Sequence, residues 1–342
     1  MSMKFKIIMA VCISAAAMLL GIAVGSVHIP PLDVIRIIGH NVFGVSLPEQ
    51  ITPAHAAIVW NLRLPRVLLA FFAGSALSVS GAVMQSVLRN PLASSYTLGV
   101  SSGASLGAAL VIFLGVSLPF LPVMTLPVLG FTFGLGTILL VMAISSKLDG
   151  RMENQTIILT GMVFALFINS ITTLMFALFR ESMHRMVFWQ MGSFSMRDWH
   201  TVYILAPVAV IGALFIARFR WELDVMTFGE EQAQTVGVNI KNVKLTLLIT
   251  ASALTGSTIA FVGVIGFVDL MAPHMVRKLF GAAHRYVIPM SAAVGGTFMV
   301  LADLAARTVT SPVELPVGAV TAIIGAPFFA YIYFGRQKQK KT

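Results

Sequence analysis

The chain has 342 residues, 57% of them hydrophobic and only 11% charged, with a mean hydropathy of +0.90. Soluble domains carry charge at about a quarter of positions, so the composition excludes a soluble globular protein and makes the chain an all-α integral membrane protein. The formal charge of +10 sits in short loops and at the C-terminus, where it reports topology rather than nucleic-acid binding, and the lone Cys12 excludes an intrachain disulfide and a cysteine zinc site.

The first apolar run, 5–27, follows Lys4 and Lys6 like a secretory signal, but it is long and no small-residue cleavage site follows, so it reads as a membrane span. A helix needs about 20 apolar residues to cross the hydrocarbon. Further spans fall near 63–88, 96–116, 123–146, 155–179, 199–219, 243–263, 266–280, 287–306 and 317–334, which predicts about ten transmembrane helices in a single domain, 1–342. An even number puts both termini on one side. Most Lys and Arg residues then share that side, which makes the termini cytoplasmic. Between the first two spans, PPLDVIRIIGHNVFG is amphipathic and suits the membrane surface. The basic end, 336–342, reads as a disordered tail against the inner surface.

Small residues recur every four positions at Gly74, Ser78 and Ala82, at Gly99, Gly103 and Gly107, and at Gly130 and Gly134. In lipid this period lets helix backbones approach closely and predicts packing rather than chemistry. Gln85 and Asn90 end the second span, where Pro91 stops the helix and Arg89 is placed to neutralise its last carbonyls. Asn169, Thr172 and Thr173 share a face of the fifth span, lining a polar path or bonding a neighbouring helix. The stretch 218–244 is the longest polar run between two apolar segments. Within it Thr227 and Glu230 fit a capping box, Glu230 and Glu231 fall in a first turn, Gly237 reads as a stop and Asn239 as the start of another turn. Such a handle serves a soluble partner or is a plain solvated loop.

No G-x-x-x-x-G-K-[ST] phosphate loop occurs, and no His, Ser or Cys constellation suggests catalysis or a metal site. Asp303 lies four residues before Arg307, a favourable ion-pair spacing, which leaves Asp269 as the one candidate for ion coupling. An ion-driven secondary transporter through Asp269 is therefore a rival reading. A membrane-embedded enzyme is another, for which the sequence supplies no polar cluster.

Several stretches resemble the FecCD-type permease family of ABC importers for iron–siderophores, haem and cobalamin. They are RLPR at 63–66, GAVMQSVLRNPLA at 81–93, LGVSSGAS at 98–105, WQMGSF at 189–194 and GEEQAQTVGV at 229–238, with GFVDLMAPHMVRKLFGAAHR at 266–285, LADLAAR at 301–307 and ELPVGAVTAIIGAPFF at 314–329. The resemblance implies a type II, cobalamin-importer-permease-like bundle with an inverted repeat relating helices two to five to seven to ten, the proline breaks of NPLA and APH marking corresponding places. It implies an inner-membrane homodimer served by two ATPase subunits, which hold ATP and Mg, and by an extracytoplasmic substrate-binding protein. This chain would itself bind no cofactor, and its cargo would be an iron(III)-siderophore, with haem or cobalamin as alternatives. Residue by residue it makes Gly229, Glu230, Glu231, Ala233 and Gly237 the ATPase coupling surface. It makes Arg63, Arg66 and Arg307 the docking points for the binding protein. Gln155 and Thr156 become a gate near the two-fold axis, and Asn169 and Thr173 remain the candidates, read from the residues alone, for lining the path or bonding a neighbouring helix. Met183, His184 and Met186, near the outer mouth, are haem-ligand types or an ordinary surface helix. The chain departs from the family at Asp269, where glycine is common, and in SSYTLG after NPLA, where proline is common.

Overall fold

In lipid a backbone can satisfy its polar groups only internally, so long apolar runs close as helices. The structure, a computed structural model, describes residues 2–150 and 152–339 (331–339 by backbone alone) and has no strand among them. In chain order come α1 Met3–Ala23, α2 Pro31–Phe43 and α3 Pro53–Ala57, the last running through a π-helical turn, Ile58–Arg63, into α4 Leu64–Val87. Then follow α5 Val100–Leu114, α6 Thr125–Leu148, α7 Asn154–Leu178, α8 Met183–Gln190 and α9 Trp199–Ala217. The polar handle holds α10 Arg220–Met226 and α11 Glu230–Thr235, and the chain ends with α12 Ile240–Val262, α13 Val268–Phe280, α14 His284–Thr308 and α15 Val317–Gln339. The last helix thus runs four residues into the basic tail expected to be disordered, and 340–342 lie outside the described residues.

Among the described residues, α1, the α3–α4 run, α6, α7, α9, α12 and α14 are long and apolar enough to cross a membrane. The third and eighth expected spans are shorter than predicted. They are α5, of 15 residues, and α13, of 13. The residues that would complete them are used in loops that dip back into the bundle. In the first, 88–99, the Ser95 hydroxyl meets Ser80 of α4 at 2.9 Å and Thr255 of α12 at 3.0 Å, deep within both helices. In the second, 263–267, the Ile265 carbonyl accepts the Tyr96 hydroxyl, which joins the two loops. Each loop leads into a half-length helix, the pattern of discontinuous helices in transporters.

The packing is exchanged between halves. Helix α4 lies on α13 and α14, and α12 lies correspondingly on α5 and α6. The α4–α14 crossing is close because Gly74 and Gly295 face each other: a Cβ on Gly74 would stand 2.3 Å from the Gly295 carbonyl oxygen. Gly103 and Gly107 bring α5 equally close to α6 at Thr137 and Leu129, as the small-residue period predicts.

Two local expectations are corrected. The chain does turn at 88–91, but α4's last carbonyls are satisfied by backbone N–H groups of Arg89 and Asn90, with Arg89 itself left-handed at φ 50°, so its exposed side chain is not needed there. In the second half the break falls at Gly263–Phe267, both left-handed in φ, and Pro273 of APH lies inside α13. Helix α2 is the amphipathic surface helix predicted, with Val34 and Ile37 buried and Leu32, Ile35 and Phe43 exposed.

Candidate functional site

Residues expected to act fall at two opposite ends of the bundle and along one exposed helix. At the first end α10 and α11 fold back on the core. Leu223, Met226 and Ala233 are buried with residues of α4, α6 and α12, so the handle is attached to the bundle rather than hanging in solvent. Gly229 precedes α11 at φ 137°, where a Cβ would collide with the Gln232 side chain. The expected capping box does not form: the Thr227 hydroxyl donates to the Asp224 carbonyl at 2.6 Å instead. Gly237 is the left-handed stop at φ 89°, and the Asn239 side chain caps the 23-residue α12 rather than a short turn.

The acidic pair divides its duties. Glu230 bonds Lys244 at 2.7 Å, and Lys244, fully buried, also donates to the Met152 carbonyl at 3.0 Å. Glu231 is exposed. Of the five residues assigned to the coupling surface, Gly229 and Ala233 are buried and Glu230 is engaged within the chain, so the face open to a partner is Glu231 and Gly237 with Phe228 (78% exposed) and Val236 (55%). The last two were missed; the available signal was an exposed aromatic and a valine inside a polar run. A second clamp holds α10: Asp224 accepts the His284 backbone N–H at 2.8 Å and meets its Nδ1 at 2.6 Å, while His284 Nε2 meets Ser86 Oγ at 2.7 Å. Arg277 bonds Ser86 and Gln85, and Gln85 reaches the Asp269 and Leu270 carbonyls, so Gln85 serves helix contact.

Beside the handle a cavity of about 540 Å³ is lined by Arg89, Glu153, Gln155, Gly229, Glu231 and Gln232 among others. It brings Gln155, at the start of α7, next to α11, which the sequence did not foretell. Along α7 an exposed row runs Gln155, Leu159, Met162, Leu166, Asn169, Thr173, a helical i, i+4, i+7 stripe. Thr173 donates to its own helix at the Asn169 carbonyl, 2.9 Å, which spends its one hydroxyl proton within α7. Thr156 is half-buried beside the row, and Thr172 is buried.

At the opposite end the three arginines are drawn inward. Arg63 is 6% exposed, its guanidinium capping α1's terminal carbonyls at Ile22 (2.9 Å) and Ala23 (3.0 Å) and reaching Val27. Arg66 grips Asp303 with two nitrogens (3.0 and 2.8 Å) and Glu314 with two bonds (2.8 and 3.0 Å). Arg307 donates to the Gly21 carbonyl and stands 3.6 Å from Asp303, the i,i+4 partner anticipated. Arg63 is thus committed to three carbonyls of its own chain, while with Arg66 and Arg307 it lines the cavity at this end, so it both caps α1 and forms part of that wall. Arg66 and Arg307 line a cavity of about 800 Å³ with Arg197, Asp198 and Glu314. The hydrogen bond from Arg66 holds the Glu314 carboxyl below its ordinary pKa. Burial lowers Arg197, partly offset by Asp198. Arg197, not singled out in the sequence, has a buried Nε with no partner.

Nearby, Met186 is wholly buried against Phe113 and Met175, which removes it from the proposed Met–His mouth, whereas Met183 and His184 are exposed. Asp269 is 3% exposed in the first turn of α13, where its backbone oxygen lies against Gly81: a Cβ there would be 1.8 Å away. Among the described residues no group of three or more His, Cys, Asp or Glu side chains could hold a metal ion.

Comparison with known proteins adds the following. The model of the FecCD transport family matches residues 12–334. The chain is 44% identical over 318 residues to the ABC transporter permease protein YvrB of Bacillus subtilis (strain 168), covering 93% of this chain and 90% of that one. It is 38% identical over 279 residues to the Fe(3+) dicitrate transport system permease protein FecD of Escherichia coli (strain K12), covering 81% and 85%. A solved inward-facing ABC transporter, described as of the metal-chelate type, superposes with a TM-score of 0.84 at 28% identity, over 97% of this chain and 99% of that one.

Proposed function

The chain belongs to the FecCD transport family and is the multi-pass permease of an ABC importer, and we propose that its cargo is an iron(III) chelate of the siderophore type. What supports the cargo reading is the likeness to an iron(III) dicitrate permease and, at the coarser level of a metal chelate, to the solved transporter. Permease membership sets aside the ion-driven carrier and the enzyme: the energy comes from a partner chain, and Asp269 need not move an ion.

The working assembly is two copies of this chain in the inner membrane, both termini in the cytoplasm, with an ATPase beneath each handle and a binding protein at the arginine end. The ATP and Mg belong to the ATPase. The exposed face of Phe228, Glu231, Val236 and Gly237 supports ATPase contact, since an apolar ring and an aliphatic residue set among charges suit a partner's groove. The α7 row supports the dimer. Gln155, Asn169 and Thr173 are costly against lipid and favourable against a second copy and a polar path. On the arginine end, Arg66 and Arg307 supply a positive rim to the cavity while their carboxylate partners hold them in place.

The test is uptake into proteoliposomes holding the permease with its ATPase and binding protein. Ferric dicitrate or a ferric hydroxamate should accumulate with ATP, insensitive to an uncoupler, and should outcompete haemin and cyanocobalamin. Preferred accumulation of either competitor would overturn the cargo; accumulation driven by an ion gradient without ATP would overturn the mechanism.

A further inference from the structure

We propose that Lys244 is the positioning residue that carries displacement of α11 to the inner end of α7, an inference that rests on α11 being the ATPase contact. Lys244 has no exposed surface although it is the fifth residue of a helix that begins in the polar handle. A lysine stem is long enough to reach water and does so unless a specific pairing keeps it in. Here the pairing is double. One hydrogen bond goes to Glu230 in the first turn of α11, 2.7 Å, and the other to the carbonyl of Met152, 3.0 Å, two residues before Asn154 opens α7. One ammonium therefore ties the handle to the helix that presents Gln155.

The far end of this link is poised. Met152 is a buried, non-glycine residue in the left-handed region at φ 54°, a conformation that is disfavoured for residues with a Cβ and persists only where its surroundings hold it. The Lys244 bond to its carbonyl is one such restraint. A shift of α11 that carries Glu230 away draws the ammonium with it or breaks the bond to Met152. Either event lets the Met152 peptide turn and re-aims the first turn of α7. Two discrete backbone states at one residue make a switch, whereas a continuous bend would dissipate the motion.

The experiment uses the full complex with a spin label on Gln155→Cys in a Cys12→Ser background, comparing parent with Lys244→Met, which keeps the stem and removes the ammonium. The expected result is an ATPase that co-purifies and hydrolyses ATP, with the population shift between labelled positions on adding nucleotide reduced about tenfold, within the usual range of site-to-site coupling. Lys244→Met that responds to nucleotide like the parent overturns the proposal. A parent whose label ignores nucleotide, or whose ATPase does not bind at α11, overturns instead the reading on which it rests. Should Lys244→Met fail to assemble, Glu230→Gln keeps the shape and a hydrogen bond but loses the charge. It should reduce the response about threefold, and an unchanged response there overturns the proposal equally.

Discussion

Replacing Arg66 by Met separates two roles that a sequence motif cannot. Asp303 is 1% exposed and receives two of Arg66's nitrogens, and its other cationic neighbour, Arg307, stands at 3.6 Å without a hydrogen bond. Removing one member of a buried pair strands the other, at a cost of about 3–5 kcal/mol. The bond to Glu314, whose side chain is 39% exposed, adds at most about 1 kcal/mol. The variant should therefore unfold well below the parent in detergent, and Arg66→Met with Asp303→Asn should recover most of the loss, because no buried carboxylate is then left unpaired. Unfolding is followed by the aggregation midpoint of the purified permease, and docking by binding-protein capture on the same sample. Arg66→Met with parental stability and abolished capture would refute the structural reading and return Arg66 to a free docking group.

Acid should loosen the same corner. The folded-state pKa of Glu314 lies below the unfolded 4.5, so its contribution is complete at neutral pH and is lost as pH falls below 4.5 through the depressed folded value, a loss absent in Glu314→Gln. Gly81→Ala places a methyl within 1.8 Å of the Asp269 carbonyl oxygen, an obstacle of backbone that cannot rotate away, so destabilisation of about 3 kcal/mol and loss of assembled permease on size exclusion are expected. Glu231→Lys, at an exposed position, should leave the permease folded and weaken ATPase co-purification about tenfold, whereas Ala233→Glu should fail to fold; equal effects from both would remove the distinction between facing and buried residues. Gln155→Cys should cross-link two copies in a nucleotide-dependent manner, and an intact dimer without cross-link in any state would take α7 away from the two-fold axis.

The features legible in the sequence are those set by local chemistry. Apolar length gave the long helices, residue size foretold close crossings such as α4–α14 and α5–α6, and Gly237 stopped a helix where expected, while Asn239 is a helix start as read but of the long α12. The features the sequence could not show depend on partners far along the chain. What Arg63 bonds to depends on α1's carbonyls, and whether Glu230 is free depends on a lysine fourteen residues later that solvent never reaches. Residues 266–280 look like a span because hydropathy averages across Gly263–Phe267, yet that loop spends the length a span would need. Met186 shares its helix with exposed Met183 and His184, and only the neighbouring Phe113 decides that it turns inward.

The exchange of partners between halves also governs how the protein can be made. The binding surface of α4 is supplied by α13 and α14, about 200 residues further on, and at a synthesis rate of about 5–20 residues per second that surface arrives some ten to forty seconds after α4 has entered the membrane. Throughout that interval the Gly74–Ser75–Ser78 face of α4, entirely buried in the finished protein, has no native neighbour. Nascent α4 must stand beside insertion machinery or a transient companion helix, and a ribosome stalled before α14 leaves behind a chain whose first half cannot complete its own core.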